Sequence, residues 1–127
     1  MKRFSQFCHK AFIILMIMVC VMSMISCQNR HVNTFSLSDF QFFLDNFSFD
    51  RTVESISDEE KAIVEAEKLW MEIYGEKIYG KKPYVAFYDC ETDTWLIKGT
   101  LPDGYMGGVP YAIIQSDGNV LAVWHDK

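Results

Sequence analysis

The chain has 127 residues, with 12 basic against 17 acidic side chains, a net charge of −5 and an apolar fraction of 50%. This length is sufficient for one small domain with its own hydrophobic core. Nucleic-acid binding depends on Lys and Arg neutralising phosphates, so the acidic balance argues against a nucleic-acid partner. The same negative charge suits a basic protein partner, although it also serves solubility.

Residues 1–26 have the features of a bacterial lipoprotein signal peptide. Three basic residues lie within the first ten positions, and residues 11–26 carry no charge. This run is shorter than the about 20 apolar residues of a membrane-spanning helix but suits a secretory signal. The sequence MISC, at positions 24–27, resembles the site at which exported lipoproteins are cleaved and acylated, with Met24 where the pattern prefers leucine. The resemblance implies that Cys27 is the first residue of the mature chain and carries the lipid.

A lipid on Cys27 would hold the protein in the cell envelope, because two or more acyl chains anchor stably in a membrane. The residue after it is Gln28 and not the aspartate that, in the proteobacterial sorting pattern, retains lipoproteins in the inner membrane. The outer membrane is therefore favoured over the inner membrane. An uncleaved signal anchor is the alternative.

Processing at Cys27 would change both the charge and the cysteine content. Removing three of the 12 basic residues leaves nine against 17 acidic ones, a net charge of −8. Cys8 and Cys20 would leave with the signal, and Cys27 would be acylated. Cys90 is therefore predicted to be a lone, buried thiol outside any internal disulfide.

The mature chain is predicted to contain a tether over residues 27–37 and a single domain over residues 38–127. The tether shows no periodicity. Residues 38–47 place aromatic and aliphatic residues at helical spacing, and Ser38 and Gln41 have the spacing of a capping box. This segment is predicted to be a short amphipathic helix with a core-facing aromatic stripe.

The strongest helical signal extends from Asp58 to Tyr74. Ser57 is the predicted cap, with Glu60 in the capping-box position, and Gly75 is the predicted terminator. Apolar residues at spacings of three and four form a wide stripe on one side. They are Ala62, Ile63, Ala66, Leu69, Trp70, Ile73 and Tyr74.

Four strands are predicted after this helix, at residues 84–89, 94–101, 109–115 and 120–125, where β-branched and aromatic residues predominate. Short connections, including the hairpin signal Asp117-Gly118, require antiparallel neighbours. A long amphipathic helix on one face of a four-stranded antiparallel meander gives an α+β fold. The other face either packs against the short helix or remains partly open.

The loop between the second and third strands is unusually rich in glycine. A phosphate-binding loop would precede a helix, and a nucleophile elbow would carry Ser or Cys at its turn. This loop precedes a strand and has neither residue at its turn. Gly104, Gly107 and Gly108 are therefore predicted to be structural. At least one of the adjacent pair Gly107 and Gly108 should adopt positive φ or admit a second backbone.

Three loop residues are the predicted partner-binding candidates: Asp103, Tyr105 and Met106. Aromatic and methionine side chains are enriched at the anchors of protein interfaces. Asp103 would add a neighbouring charge. The alternative is that Tyr105 and Met106 fold back over the end of the sheet and belong to the core.

Five short motifs follow one another in the second half of the chain, ahead of His125. They are YG (74–75), KPY (82–84), WLIKGTL (95–101), GGV (107–109) and DGNV (117–120). As an ordered set over about residues 62–127, they resemble the bacterial immunity-protein family with a nuclear-transport-factor-2-like fold. The resemblance implies a cystatin-like cone, in which a curved antiparallel sheet wraps around a helix, here in a trimmed version. It also implies that the protein binds and neutralises a cognate toxin.

Catalytic and metal-binding residues are not predicted. Cone folds also host enzymes with a carboxylate base, but the aspartates of the sheet region lie in or beside turns and Glu67 lies at the edge of the helix stripe. His125 has no second histidine nearby in sequence to complete a metal site. A binding protein without a cofactor is therefore expected. The alternative function is an envelope lipoprotein that binds a small apolar ligand or scaffolds other envelope proteins.

Overall fold

The computed structural model describes residues 8–18 and 32–127. Residue contacts divide the chain into two units, Met1–His31 and Val32–Lys127. In the first unit, residues 8–18 form helix α1 and their side chains are exposed. Within residues 8–18 and 32–127, no helix has both the length and the apolar character needed to cross a membrane. The predicted lipidation site, Cys27, lies outside the described residues.

The second unit combines helices with one mixed sheet. Its helices are a 3-10 helix at Leu37–Phe40, α2 at Gln41–Asn46, α3 at Glu59–Tyr74 and a second 3-10 helix at Gly75–Lys81. Its strands are β1 at Asn33–Thr34, β2 at Ser48–Thr52, β3 at Val85–Asp89, β4 at Thr94–Lys98, β5 at Pro110–Gln115 and β6 at Asn119–His125. The order across the sheet is β1-β3-β4-β5-β6-β2, which confirms the α+β class.

Strands β3 to β6 are the four predicted strands, and they pair as the predicted antiparallel meander. Ile113 pairs with Ala122 whereas Ile114 pairs with Val120, so Leu121 has no partner on β5. Such a bulge bends its strand and increases the local twist. The bulge therefore contributes curvature where β6 passes between β5 and β2.

Two further strands, β1 and β2, extend the sheet from four strands to six. β1 pairs parallel with β3, and β2 pairs antiparallel with β6. Neither strand was predicted from the sequence. β1 has only two residues, and β2 exposes every residue except the half-buried Phe49, so neither shows the alternation that reveals a buried strand.

The folded unit begins at Val32, six residues earlier than the predicted domain start. Asp89 holds this segment in place, because its Oδ2 atom accepts a hydrogen bond from the Leu37 amide at 2.9 Å. Burial raises the pKa of Asp89, but hydrogen bonds from Leu37, Glu91 and Thr92 outweigh burial and lower it below the ordinary value. Residues 32–37 therefore belong to the folded unit and not to a tether.

Helix α3 packs its apolar stripe against one face of the sheet, as predicted. Its cap is Asp58 and not Ser57, since Asp58 Oδ1 accepts a hydrogen bond from the Lys61 amide at 2.8 Å. Gly75 follows the helix with a φ of 74°. Leu69 and Trp70 are buried against the sheet, and the Trp70 indole donates to the Tyr111 carbonyl at 3.3 Å.

The opposite face of the sheet is covered by the short aromatic segment, Leu37–Asn46. The Phe43 ring stacks on Trp124 with 4.4 Å between ring centroids, and Tyr111 stacks on the same indole at 4.9 Å. The predicted capping box at Ser38 does not form, because Ser38 lies inside the 3-10 helix and Gln41 bonds to Asp45 instead. Phe40, Phe43 and Leu44 of the predicted stripe are half-buried against this face of the sheet, whereas Phe47 is exposed.

The prediction for Cys90 is wrong, since this cysteine is disulfide-bonded and half-buried. It lies directly after β3, at the start of a turn, and not inside the apolar core. The prediction depended on acylation of Cys27, which would leave the mature chain without a second thiol.

Candidate functional site: the glycine-rich loop and its pocket

The glycine-rich loop, residues 101–108, presents two large apolar side chains to solvent. Tyr105 is 70% exposed and Met106 is 98% exposed. The Tyr105 amide donates to the Pro102 carbonyl at 3.2 Å, and Gly104 has a φ of 82°, the positive value that a type II turn requires. The turn therefore places Tyr105 and Met106 at the tip of the loop, with exposed Asp103 inside the turn.

Hydrogen bonds fix both ends of this loop to the scaffold. On the β4 side, the Thr100 amide donates to the Lys81 carbonyl at 2.7 Å and its hydroxyl to the Pro83 carbonyl at 2.6 Å. On the β5 side, the Val109 amide donates to Asp126 Oδ1 at 2.6 Å. Only the tip of the loop extends away from these bonds.

Gly107 and Gly108 occupy backbone positions that side chains would disturb. Gly107 has a φ of 124°, outside the range that other residues adopt readily. A Cβ atom at Gly108 would overlap the carbonyl group of Asp126, where the chain continues beyond β6. The first glycine turns the loop, and the second lets the C-terminal segment pass against it.

A pocket of about 780 Å³ lies between the loop, the second 3-10 helix, the end of α3 and the end of β6. Apolar and aromatic side chains form much of its wall, and three nitrogen-bearing side chains complete it. The lining residues include Ile73, Tyr74, Lys77, Ile78, Lys81, Tyr105 and His125. The predicted site residue Tyr105 therefore forms part of a wall, whereas Met106 and Asp103 do not line the pocket.

The end of β6 contributes His125 to this pocket. The His125 ring lies edge-on to Tyr74 with 5.5 Å between ring centroids. Its Nδ1 atom lies 2.7 Å from the Asp126 carbonyl oxygen, which can only accept, so Nδ1 carries the proton in this bond. Burial raises the pKa of Tyr74, which keeps its hydroxyl neutral in the pocket wall.

In the described part of the chain, no carboxylate lines the pocket wall. Of the acidic side chains on α3, Glu65 lies 3.1 Å from Lys61 and 3.0 Å from Lys68, and Glu67 lies 3.2 Å from Lys82. Across residues 8–18 and 32–127, no three His, Cys, Asp or Glu residues cluster closely enough to hold a metal ion. The arrangement is suited to binding.

The loop was predicted from the sequence, but the pocket was not. The segment EKIYGK (76–81), which supplies Lys77 and Lys81, had no predicted role. One feature of the sequence could have indicated a cationic site here, because this lysine-rich segment directly follows a helix with an acidic solvent face. The distance in sequence from this segment to His125 hid their proximity in the fold.

The comparison with protein families gives one match. Residues 61–127, which are 67 of the 127 residues, match the model of the NTF2 fold immunity proteins (Imm-NTF2-2). No curated protein and no solved structure shows significant similarity to the chain. The matched region contains most of α3, all of strands β3 to β6, the glycine-rich loop and every lining residue named above. The chain therefore belongs to the family of NTF2 fold immunity proteins.

Proposed function

We propose that this protein neutralises a cognate toxin by binding it through the tip of the glycine-rich loop, while a lipid on Cys27 holds it in the cell envelope. Membership of an immunity-protein family implies a toxin as the partner. The observation that supports the loop is the exposure of Tyr105 and Met106, at 70% and 98%, on a segment fixed at both ends. Aromatic and methionine anchors are enriched at interfaces, and a preorganised loop loses little conformational entropy on binding.

Neutralisation by occlusion requires no reaction from the immunity protein. The loop tip would contact the toxin with Tyr105 and Met106, and Asp103 would place a negative charge beside a basic group of the toxin. Because the mature chain would carry a net charge of −8, it would also steer a basic toxin towards the protein. The protein would therefore act by binding the toxin and not as an enzyme.

Replacing either anchor with alanine should separate function from stability. Tyr105→Ala and Met106→Ala should change the free energy of unfolding by at most about 0.5 kcal/mol, as surface substitutions usually do. Both should weaken protection when each variant is expressed with a candidate toxin from the gene neighbourhood. Cell survival and melting temperature, measured for the same variants, check this prediction.

Phe42→Ala provides a matched control, because Phe42 is 65% exposed and belongs to α2, which covers the face of the sheet opposite α3. Protection should survive this substitution. Full protection by both loop variants would remove the loop from the interface. Early melting of both would instead place Tyr105 and Met106 among the residues that stabilise the fold.

The envelope location is a separate part of the proposal, supported by the MISC sequence and the charge-free run before it. Cys27→Ala should leave an unprocessed precursor that incorporates no labelled palmitate, whereas Cys8→Ala should be processed normally. Lipidation uses the thiol of Cys27, which then cannot form a disulfide. Mass spectrometry of the peptides that contain Cys27 and Cys90 would show whether each cysteine carries a lipid or a disulfide. A Cys27→Ala protein that still matures and takes up palmitate would refute the anchor. Membrane fractionation of the wild type should find it in the outer membrane.

The alternative function is an envelope lipoprotein that binds a small apolar ligand or scaffolds other envelope proteins. The pocket favours the ligand-binding form, because about 780 Å³ lies within the range of about 300–1,000 Å³ typical of small-molecule sites. Gene neighbourhood separates the two functions. An adjacent toxin gene supports immunity, and a transport or biosynthetic operon supports ligand binding.

A further inference from the structure

We propose that the pocket beneath the glycine-rich loop binds an acidic, apolar segment of the toxin, with a carboxylate facing Lys77 and Lys81 and an apolar side chain packed against the wall. This inference rests on the proposed function and gives the chemistry of the partner at this site. The pocket is continuous with the loop tip, since Tyr105 belongs to both. A segment of a protein bound at the tip would therefore reach the pocket without a second contact surface.

The two pocket lysines, Lys77 and Lys81, have no ion-pair partner in the domain. Among residues 32–127, no carboxylate lies within 4.0 Å of either ammonium group, which is also true of Lys98 and Lys127 outside this pocket. The Lys81 ammonium group lies 4.0 Å from the position of a Cβ atom at Gly107, which places it under the loop. These charges are available to a ligand.

No acidic side chain of the domain lines this pocket. The exposed Glu76 and Asp126 each adjoin a lining residue in sequence, but neither lines the pocket. The Asp126 carboxylate accepts hydrogen bonds from the Val109 amide and, at 3.2 Å, from the Tyr111 hydroxyl. That side chain lines the smaller pocket on the other face of the sheet. The loop pocket is therefore a cationic site on a mature chain whose net charge is −8, and its charge selects an anionic group.

The pocket walls select an apolar group beside that anion. Ile73, Tyr74, Ile78 and Tyr105 surround the lysines, and the volume of about 780 Å³ accommodates one or two side chains of an incoming segment. Carboxylates that approach ammonium groups next to apolar walls are partly desolvated, which strengthens the attraction. A glutamate, an aspartate or a terminal carboxylate next to a large apolar residue satisfies both requirements.

Binding measurements test this proposal with the full chain, purified in a non-ionic detergent, and a purified candidate toxin from the gene neighbourhood. The double variant Lys77→Gln, Lys81→Gln should bind the toxin at least about tenfold more weakly. The two substitutions together leave the toxin carboxylate without a charged partner. Lys98→Gln is the control, since Lys98 lies over the Phe87 ring on the other face of the sheet. It should stay within about twofold of the wild type. The double variant Lys77→Arg, Lys81→Arg keeps both charges and should retain most of the affinity.

Lysine acetylation of the wild-type chain gives a second readout that does not depend on the folding of any variant. Toxin should protect Lys77 and Lys81 from acetylation and leave Lys98 reactive. Unchanged labelling together with wild-type affinity of the double Gln variant would refute the pocket while leaving toxin binding intact. If the wild type fails to bind toxin, the proposed function fails as well. Protection by millimolar hexanoate but not by toxin would identify a small carboxylate as the occupant and overturn the inference.

Discussion

Trp70→Ala should destabilise the folded unit by about 3–5 kcal/mol, the range measured for removing a large buried aromatic side chain. Trp70 is 0% exposed and lies in the middle of the α3 stripe. Its ring meets Tyr84 edge-on at 5.2 Å, and its indole donates to the Tyr111 carbonyl. The substitution would leave a cavity between helix and sheet. This loss approaches the whole stability of a small domain, about 5–15 kcal/mol.

Chemical denaturation of wild type and variant measures this effect directly. Val64→Ala is the matched control, because Val64 lies on the same helix but is exposed to solvent. It should change the free energy of unfolding by less than about 0.5 kcal/mol. An unchanged denaturation midpoint for Trp70→Ala would contradict the packing of α3 on the sheet.

Gly108→Val should destabilise the protein by about 3 kcal/mol, at the upper end of the usual range for overpacking. The new Cβ atom would overlap the backbone of Asp126, so the clash involves atoms that cannot rotate away. Relief requires the end of β6 to separate from the start of β5. That movement would also break the hydrogen bonds between Val109 and Asp126.

A glycine with no close neighbour supplies the control for this substitution. A Cβ atom added at Gly80 would meet no atom within 4 Å, and the φ of this residue is not positive. Gly80→Ala should therefore leave the melting temperature unchanged or raise it slightly, because it restricts the unfolded chain. Equal melting temperatures for Gly108→Val and the wild type would show that the C-terminal segment does not pass against the loop.

The parts of the fold that were predicted correctly have local signals. The stripe of α3 repeats at helical spacing, and Trp95 and Ile97 alternate with Leu96 and Lys98 along β4. The α3 pattern marks the helix face that packs on the sheet, and along β4 Trp95 and Ile97 join one core cluster while Leu96 joins the other. β1 and β2 lack such a pattern, because most of their side chains are exposed. Backbone pairing with β3 and β6 holds these two strands at the edges of the sheet. Edge pairing depends on the neighbouring strand, which a local pattern does not contain.

The candidate site divides in the same way. The density of glycine around Tyr105 and Met106 marked the loop, because glycine permits turns and close approaches. Glycine is required at position 108 because a side chain there would overlap the backbone of Asp126, 18 positions later. This contact forms only when the end of β6 packs against the start of β5. Lys77, Lys81 and His125 likewise meet through tertiary packing. Long-range contacts therefore explain the features that could not be predicted from the sequence.

Hydrogen–deuterium exchange of the full chain, with and without its cognate toxin, tests the central claim most directly. The claim is that the toxin binds at the glycine-rich loop. Toxin should slow exchange in residues 101–108 and in the neighbouring 3-10 helix, Gly75–Lys81, while the short aromatic segment Leu37–Asn46 remains unchanged. Protection confined to Leu37–Asn46, or no protection in residues 101–108, would contradict the claim.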